Sequence, residues 1–211
     1  MKNDKATNLI VTGVGGQGNV LAARLLAVVA LEEGYEVTVG DVYGLTQRGG
    51  SVASHVRWTM GNTLPPLVPR ASLHILVAFE PLEALRVLTQ LGNKEAVAIV
   101  NDTPVMPIGV QAERFEYPPL KALEEGLRTL TRELRIVAAT SVARRVGEMQ
   151  ALNMVMMGAL AGSGFTALKT GTFEKMIPSL VPERFAGINL LAFREGIKLT
   201  YPPGPLALNG S

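Results

Sequence analysis

Short apolar runs rich in β-branched residues alternate with longer segments of helical periodicity through most of the chain. Runs of this kind predict β-strands, and the segments between them predict helices that connect one strand to the next. The alternation is typical of a mostly parallel sheet with helices on both faces. Six strands are predicted, at residues 8–13, 35–42, 51–58, 73–79, 96–101 and 135–140.

Beyond Thr140 the pattern is helical only, with breaks at residues 162–164, at Pro178 and at Pro182. Neither an internal repeat nor a low-complexity linker divides the chain. We therefore expect a single domain, residues 1–211, of the α/β class. The expected architecture is a three-layer α/β/α sandwich with a mostly parallel (mixed) sheet and a Rossmann-like first β-turn-α unit.

Two predicted helices are apolar on more than one face, which is unusual for a helix at a protein surface. In residues 19–34, Arg24 is the only charged residue before Glu32, and no charged residue lies between Glu148 and Lys169. Either each helix is enclosed by its own domain, or its second apolar face lies at a subunit interface.

The turn after the first predicted strand contains Gly13, Gly15 and Gly18 in the G-x-G-x-x-G spacing. Between a strand and a helix, this motif binds the phosphates of a dinucleotide, because glycines allow close approach and the helix N-terminus offers free N–H groups. Asp41, at the end of the next strand, lies where a ribose-binding carboxylate is expected. One hypothesis is therefore a stand-alone NAD(P)- or nucleotide-binding enzyme of Rossmann-like fold.

The segment after Asp41 argues against an ordinary dinucleotide site. In the usual fold the second strand leads into another crossover helix. Here a short turn leads directly into residues 51–58, which alternate with a period of two and predict a strand. We therefore expect a strand order or direction that differs from the dinucleotide-binding pattern. Gly16 and Gln17 are also unusual occupants of the motif.

A second glycine-containing loop, residues 47–51, also has the chemistry of an anion site. Arg48 can form a bidentate contact with a phosphate or carboxylate, and the two glycines beside it leave the backbone accessible. We expect both loops at the carboxyl ends of neighbouring strands, where ligands of open α/β sheets bind. The loop is interpreted as a site for an anionic ligand or a docked partner loop; the alternative is a hairpin turn whose arginine caps a helix.

Three further polar positions have a functional and a structural interpretation. His55 could reach a ligand near the second loop, or it could be a hydrogen-bonded structural residue. Glu80 follows a strand, where ligand sites gather, and we expect it to begin a helix as a capping carboxylate. Asn101 and Asp102 also follow a strand, and they could simply shape the turn.

Composition excludes several classes of function. The chain has no cysteine among its 211 residues, so it cannot form disulfides or bind iron–sulfur clusters through thiolates. Two histidines are too few for an all-histidine metal site, and no metal ligand is predicted. The net charge is only +2 and the basic residues are scattered, which argues against nucleic acid as a partner. We expect a cytoplasmic protein without membrane contact, because neither a signal peptide nor a run of bilayer length is present.

Three segments resemble, in the same order, signatures of the gamma-type subunits of the 2-oxoacid:ferredoxin oxidoreductase family. They are "GVGGQGNVLAARLLA", "YGLTQRGGSVASHVRW" and "NMVMMGAL", and the first two together are specific. The indolepyruvate branch of the family is the most similar. The resemblance runs from about Asn8 to the last predicted helix and is weaker over residues 103–121.

The resemblance implies that the chain is one subunit of a thiamine-diphosphate enzyme. Such an enzyme converts a 2-oxoacid, here an arylpyruvate such as indolepyruvate, and coenzyme A to an acyl-CoA and CO2, and passes two electrons through iron–sulfur clusters to ferredoxin. It also implies that a large partner subunit holds most of the thiamine diphosphate, Mg²⁺ and cluster sites, and that the small subunit is inactive alone. No catalytic residue is assigned. By position, the cofactor-binding candidates are Gly13, Gly15, Gly16, Gln17 and Gly18 in the first loop and Gln47, Arg48, Gly49, Gly50 and Ser51 in the second.

Overall fold

The computed structural model of the protein describes residues 6–44, 50–105 and 116–200. All six predicted strands are present: β1 Thr7–Val14, β2 Glu36–Tyr43, β3 Ser51–Thr59, β4 Ile75–Ala78, β5 Val97–Asn101 and β6 Glu133–Val137. The helices in the described ranges are α1 Asn19–Glu32, α2 Pro81–Leu91, α3 Leu120–Leu130, α4 Ala139–Val146, α5 Leu152–Ser163, α6 Thr170–Leu180 and α7 Glu183–Lys198, with a 3-10 turn at Met149–Ala151.

The strands form one six-stranded sheet in the order β2-β3-β1-β4-β5-β6. Strands β1, β4, β5 and β6 are parallel, whereas β3 is antiparallel to both β1 and β2. The predicted α/β class and mixed sheet are confirmed, and so is the departure from the dinucleotide-binding pattern. The largest boundary error is at the end of β6: the strand predicted at residues 135–140 ends at Val137, and Ala139 already begins α4.

Helices cover the sheet on both faces, which gives the expected three layers. Alternate residues of a strand point to opposite faces. Leu9 and Val11 of β1 therefore join a large apolar cluster with α1, α4, α5, α6 and α7, and Ile10 between them joins a second cluster with α2 and α3.

The two apolar helices differ in how they are covered. Residues 152–160 of α5 are all buried, so this helix is enclosed by its own domain. Helix α1 is enclosed only in part, because Val20 is 42% exposed and Leu31 is 55% exposed. In the described part of the chain, no helix is long and apolar enough to cross a membrane.

Helices α5 and α7 approach each other closely because each has a glycine at the contact. A Cβ atom added at Gly158 would lie 1.9 Å from the carbonyl oxygen of Phe193. One added at Gly196 would lie 2.0 Å from the carbonyl oxygen of Val155. Any larger residue at either position would force the two backbones apart.

His55 and Arg57 hold the segment after β3 against the sheet. Both side chains are buried, at 5% and 6% exposure. The Nδ1 atom of His55 accepts a hydrogen bond from the Val68 N–H at 3.0 Å. The Arg57 guanidinium donates to the carbonyl oxygens of Pro65 and Leu67 at 2.7 and 3.1 Å. The structure therefore gives His55 a structural role.

We expect the free energy of unfolding to fall as the pH drops below about 6.5. Burial and the nearby Arg57 lower the pKa of His55 below its usual value, and Asp41 opposes them only in part. The unfolded chain then binds the proton first, so stability is complete above pH 6.5 and is lost as the pH falls toward the lowered pKa. One proton changes the free energy by at most about 1.4 kcal/mol per pH unit.

Urea denaturation between pH 7.5 and 5.5 would measure this slope, and His55→Asn is the matched variant. Asparagine keeps an acceptor for the Val68 N–H but does not titrate, so the variant should show a flatter pH dependence. An equal slope in both proteins would show that His55 does not cause it.

Candidate functional site

The first glycine loop, residues 13–18, connects β1 to α1 in a conformation that requires glycine. Gly16 has a φ of 103° and Gly18 a φ of 85°, which side-chain-bearing residues rarely adopt. Gly13 lies in β1, and a Cβ atom there would lie 2.6 Å from Oε1 of Gln17. Gly18 is the N-cap of α1. The loop therefore presents its backbone and the helix N-terminus rather than side chains.

Gln17 ties this loop to the sheet. Its Oε1 atom accepts a hydrogen bond from the Val14 N–H at 2.7 Å, and its Nε2 atom donates to the Phe79 carbonyl oxygen at 3.3 Å. Both ends of the Gln17 amide are thus engaged within the protein. Its contribution to a ligand site is to hold the loop in place.

The two loops lie side by side. Ser51 pairs with Val14 across the sheet, and the Gly15 N–H donates to the Gly50 carbonyl oxygen at 2.8 Å. Both loops follow the carboxyl ends of strands at the same edge of the sheet, as expected, but these strands are not neighbours, because β3 lies between β1 and β2. Of the second-loop candidates, Gln47, Arg48 and Gly49 lie outside the described residues.

A cleft of about 730 Å³ opens beside the first loop. Three separate parts of the chain form it: the first loop and α1, the segment after β5, and the region from α4 to the start of α5. No Asp or Glu is among the described residues that line it, which are Gly16, Gln17, Gly18, Leu21, Thr103, Pro104, Val105, Thr140, Arg144, Met149, Gln150, Leu152 and Asn153.

Sequence reasoning missed the cleft residues from α4 and α5. A weak signal existed for two of them, because Thr140 closely follows β6, where ligand sites gather. Arg144 is four residues later in the same helix and so lies on the same face. Asn153 in α5 begins the segment "NMVMMGAL" that carries part of the resemblance, but a lone asparagine in an apolar helix has many structural explanations and did not indicate a cleft.

Asn101 supports the floor of the cleft. It is fully buried and its Nδ2 atom donates to the Phe79 carbonyl oxygen at 3.2 Å and to Oγ1 of Thr140 at 2.9 Å. Its Oδ1 atom accepts from the Thr140 N–H at 3.1 Å. The Phe79 carbonyl oxygen thus accepts hydrogen bonds from both Asn101 and Gln17. It thereby connects Thr140, which lines the cleft, to the first loop.

Glu80 is the N-cap of α2, as predicted. Its side chain accepts from the Glu83 N–H at 2.8 Å and from the Tyr117 hydroxyl, and it is fully buried. Burial raises the pKa of the Glu80 carboxyl above its usual value, although these hydrogen bonds oppose the shift. Glu80 does not line the cleft.

The geometry removes the main support for NAD(P) binding. Strand β3 separates β2 from β1, so Asp41 does not lie on the strand next to the glycine loop. The Asp41 carboxylate instead accepts a hydrogen bond from the Ser54 hydroxyl on β3. Among the residues that the structure describes, no group of three or more His, Cys, Asp and Glu side chains could hold a metal ion.

Comparisons with known proteins extend over nearly the whole chain. Residues 8–199 match the sequence model of the family described as Pyruvate ferredoxin/flavodoxin oxidoreductase. The indolepyruvate oxidoreductase subunit IorB of Pyrococcus horikoshii is 35% identical over 198 residues, which is 92% of this chain and 96% of that one. The subunit of the same name from Archaeoglobus fulgidus is 32% identical over 201 residues, 95% of this chain and 98% of that one.

A solved structure shares the fold. It is the 2-oxoglutarate:ferredoxin oxidoreductase from Magnetococcus marinus, determined with 2-oxoglutarate, coenzyme A and succinyl-CoA bound. The TM-score is 0.69 at 18% identity, and the match covers 93% of this chain and 31% of that chain. At this identity the similarity establishes the fold alone.

Proposed function

The chain belongs to the pyruvate ferredoxin/flavodoxin oxidoreductase family, and from that premise we propose that it is the small subunit of a 2-oxoacid:ferredoxin oxidoreductase that acts on an arylpyruvate such as indolepyruvate. The observation that carries the proposal is the near full-length similarity to subunits named for indolepyruvate oxidoreductase. We also propose that residues 1–211 form a single domain of this complex.

The proposed reaction joins a 2-oxoacid and coenzyme A to give an acyl-CoA and CO2. Two electrons leave the substrate and reduce two ferredoxin molecules by one electron each. Thiamine diphosphate with its Mg²⁺ supplies the decarboxylation chemistry, and iron–sulfur clusters carry the electrons. This chain has no cysteine to hold a cluster, so those ligands would come from the large partner subunit.

The role proposed for this chain is to complete a binding site for a cofactor or a partner loop. The candidates remain the two loops, with Gly13, Gly15, Gly16, Gln17 and Gly18 in the first and Gln47, Arg48, Gly49, Gly50 and Ser51 in the second. The hydrogen bond between Gly15 and Gly50 supports a joint role, because it places the two loops in contact. The same chemistry that favours an anion, glycine backbone with a helix N-terminus, also favours a docked carboxylate of a partner.

Copurification under anaerobic conditions tests the proposal. We expect the tagged chain, expressed in its native cells, to recover a large cysteine-rich, thiamine-binding subunit. The complex should then reduce ferredoxin with indolepyruvate only when coenzyme A is present, whereas the isolated chain should be inactive. The measurement is the rate of ferredoxin reduction, with pyruvate and 2-oxoglutarate as comparison substrates.

Two outcomes would contradict the proposal in different ways. A complex that prefers pyruvate or 2-oxoglutarate would correct the substrate but keep the small-subunit role. Recovery of the chain alone, together with NAD-dependent activity, would instead support the stand-alone nucleotide enzyme.

A further inference from the structure

We propose that the chain's own segment beyond Thr200 binds along the open edge of the sheet at β6 and places a leucine side chain in an apolar hollow beside Ile136. The segment is residues 201–211. None of the residues that line the hollow also lines the cleft. The proposal therefore concerns a different surface and does not depend on the proposed function.

Strand β6 forms one edge of the sheet. Its residues Glu133–Val137 pair with Val97–Asn101 of β5 on one side. On the other side β6 pairs with no strand within the ranges that the structure describes. An edge strand presents a row of backbone N–H and C=O groups that can pair with another extended segment.

An apolar hollow of about 130 Å³ lies beside this edge. Val100 of β5, Ile136 of β6, and Leu120 and Leu127 of α3 supply its apolar walls. Two of these side chains are only partly covered, since Leu120 is 46% exposed and Ile136 is 38% exposed. The volume is close to the roughly 150 Å³ of a cavity that holds one benzene molecule. The hollow therefore fits a single aliphatic side chain and is too small for a cofactor.

The charge around the hollow favours an uncharged occupant. Asp102 and Glu124 also line it, and no Lys or Arg does so among the described residues. Glu124 is paired with Arg128 of the same helix at 2.7 Å. An acidic segment would be repelled here, because juxtaposed like charges are costly. Residues 201–211 contain no charged side chain, so they match this requirement.

The segment starts at the β6 edge because Thr200 is fixed there. Thr200 is only 6% exposed, and its hydroxyl donates to the Ala159 carbonyl oxygen at 2.7 Å. Its own carbonyl oxygen accepts from Nη1 of Arg135, a β6 residue, at 3.0 Å. Arg135 is held in turn by Glu133 at 2.8 Å and by the Phe165 ring, 4.6 Å from its guanidinium carbon. A segment tethered this closely has a high effective concentration at the edge.

The sequence after Thr200 favours an extended segment that is long enough. Pro202, Pro203 and Pro205 have no backbone N–H and a φ fixed near about −65°, so helix α7 cannot continue through them. Residues that precede a proline also favour extended conformations. Eleven extended residues span at most about 36 to 40 Å, whereas a strand of five residues such as β6 is about 17 Å long. The segment can therefore run along the whole of β6.

The residues "LALN" after the last of these prolines have the period of two that is typical of a strand. In a strand, Leu206 and Leu208 point to one face of the sheet and Ala207 points to the other. Ile136 and Arg135 of β6 divide in the same way, and Ile136 lies on the face of the hollow. The two leucines therefore match the partly covered apolar face, and the small alanine matches the face that Arg135 already occupies.

Paired cysteines test this contact, and the chain has no cysteine of its own to interfere. In the full-length chain, Ile136→Cys is combined with Leu206→Cys or with Leu208→Cys. Residues opposite each other on adjacent strands have Cα atoms about 4.5 to 5.5 Å apart, within the range of a disulfide. We expect at least one of these pairs to form a disulfide within one chain under mild oxidation, as measured by mass spectrometry. Its rate should be at least about tenfold that of Ile136→Cys with Ala207→Cys, the matched control on the opposite face.

Hydrogen exchange of the β6 amides gives a second measurement without cysteines. Leu206→Asp with Leu208→Asp places two negative charges against the acidic hollow and should accelerate exchange in β6 about tenfold or more. Ala207→Asp with Asn209→Asp is the matched control, because it adds the same charge on the opposite face; it should change the exchange less than about threefold. Circular dichroism of both variants checks that they fold.

Each outcome supports or overturns the proposal. Equal disulfide rates for all three cysteine pairs, or unchanged β6 exchange in the variant with both leucines replaced, would overturn it. A disulfide between two chains would assign the edge to a second copy instead. A disulfide that forms in the isolated chain but not in the copurified complex would assign the edge to a partner subunit. None of these results bears on the substrate, so the proposed function stands or fails by its own experiment.

Discussion

Replacing Gly196 with alanine is expected to lower the free energy of unfolding by about 3 kcal/mol or more. The added Cβ atom would lie 2.0 Å from the Val155 carbonyl oxygen and 2.8 Å from its carbonyl carbon. Both atoms belong to the backbone of α5, so no side-chain rotation can relieve the clash. The helices must move apart, and α5, which is buried on all sides, loses packing with its neighbours. Urea denaturation followed by circular dichroism would give the change in free energy.

Gly187→Ala is the control on the same helix. Gly187 is exposed, and nothing lies within 4 Å of a Cβ atom added there. Because alanine favours a helix more than glycine does, this variant should be unchanged or more stable by up to about 1 kcal/mol. If Gly196→Ala were as stable as Gly187→Ala, the close approach of α5 and α7 would be wrong.

The local parts of the fold could be predicted because they depend on neighbouring residues. Alternation in residues 51–58 predicted β3, and the lack of room for a helix before it predicted a strand order or direction that differs from the dinucleotide-binding pattern, which the antiparallel pairing of β3 with β2 confirms. The position of β3 between β1 and β2 could not be predicted, because it depends on which edges pair across distant segments. The start of α4 was missed for a related reason. Residues 138–140 have the same composition as the strand before them, and only the packing of α4 shows that the strand has ended.

The candidate site likewise has one part that could be predicted from the local sequence and one part that could not. The first loop could be predicted because Gly13, Gly15 and Gly18 have the G-x-G-x-x-G spacing, and Gly18 indeed has a positive φ. The cleft was not, because Thr140, Arg144 and Asn153 reach it only when α4 and α5 pack beside α1. Gln17 shows a further limit, since its place in the motif could not reveal that both ends of its amide are used inside the protein.

Removing the Asn101 side chain is expected to lower the free energy of unfolding by about 3 kcal/mol. Asn101→Ala would leave the Thr140 N–H buried without its acceptor, while the Phe79 carbonyl oxygen would keep only its bond from Gln17. Thr140, which lines the cleft, would lose both contacts that fix it. Thermal or urea denaturation measures this loss.

Asn93→Ala is a control that removes the same number of side-chain hydrogen bonds from a more exposed asparagine. Its Nδ2 atom donates to the carbonyl oxygens of Leu73 and Ala71, at 2.8 and 3.2 Å, and its Oδ1 atom accepts from the Glu95 N–H at 2.8 Å. Asn93 is only half-buried, so water can replace these bonds and the loss should stay below about 1 kcal/mol. The difference between the two variants therefore estimates what burial adds to three asparagine hydrogen bonds. Equal losses would mean that Asn101 does not hold the cleft floor as we describe.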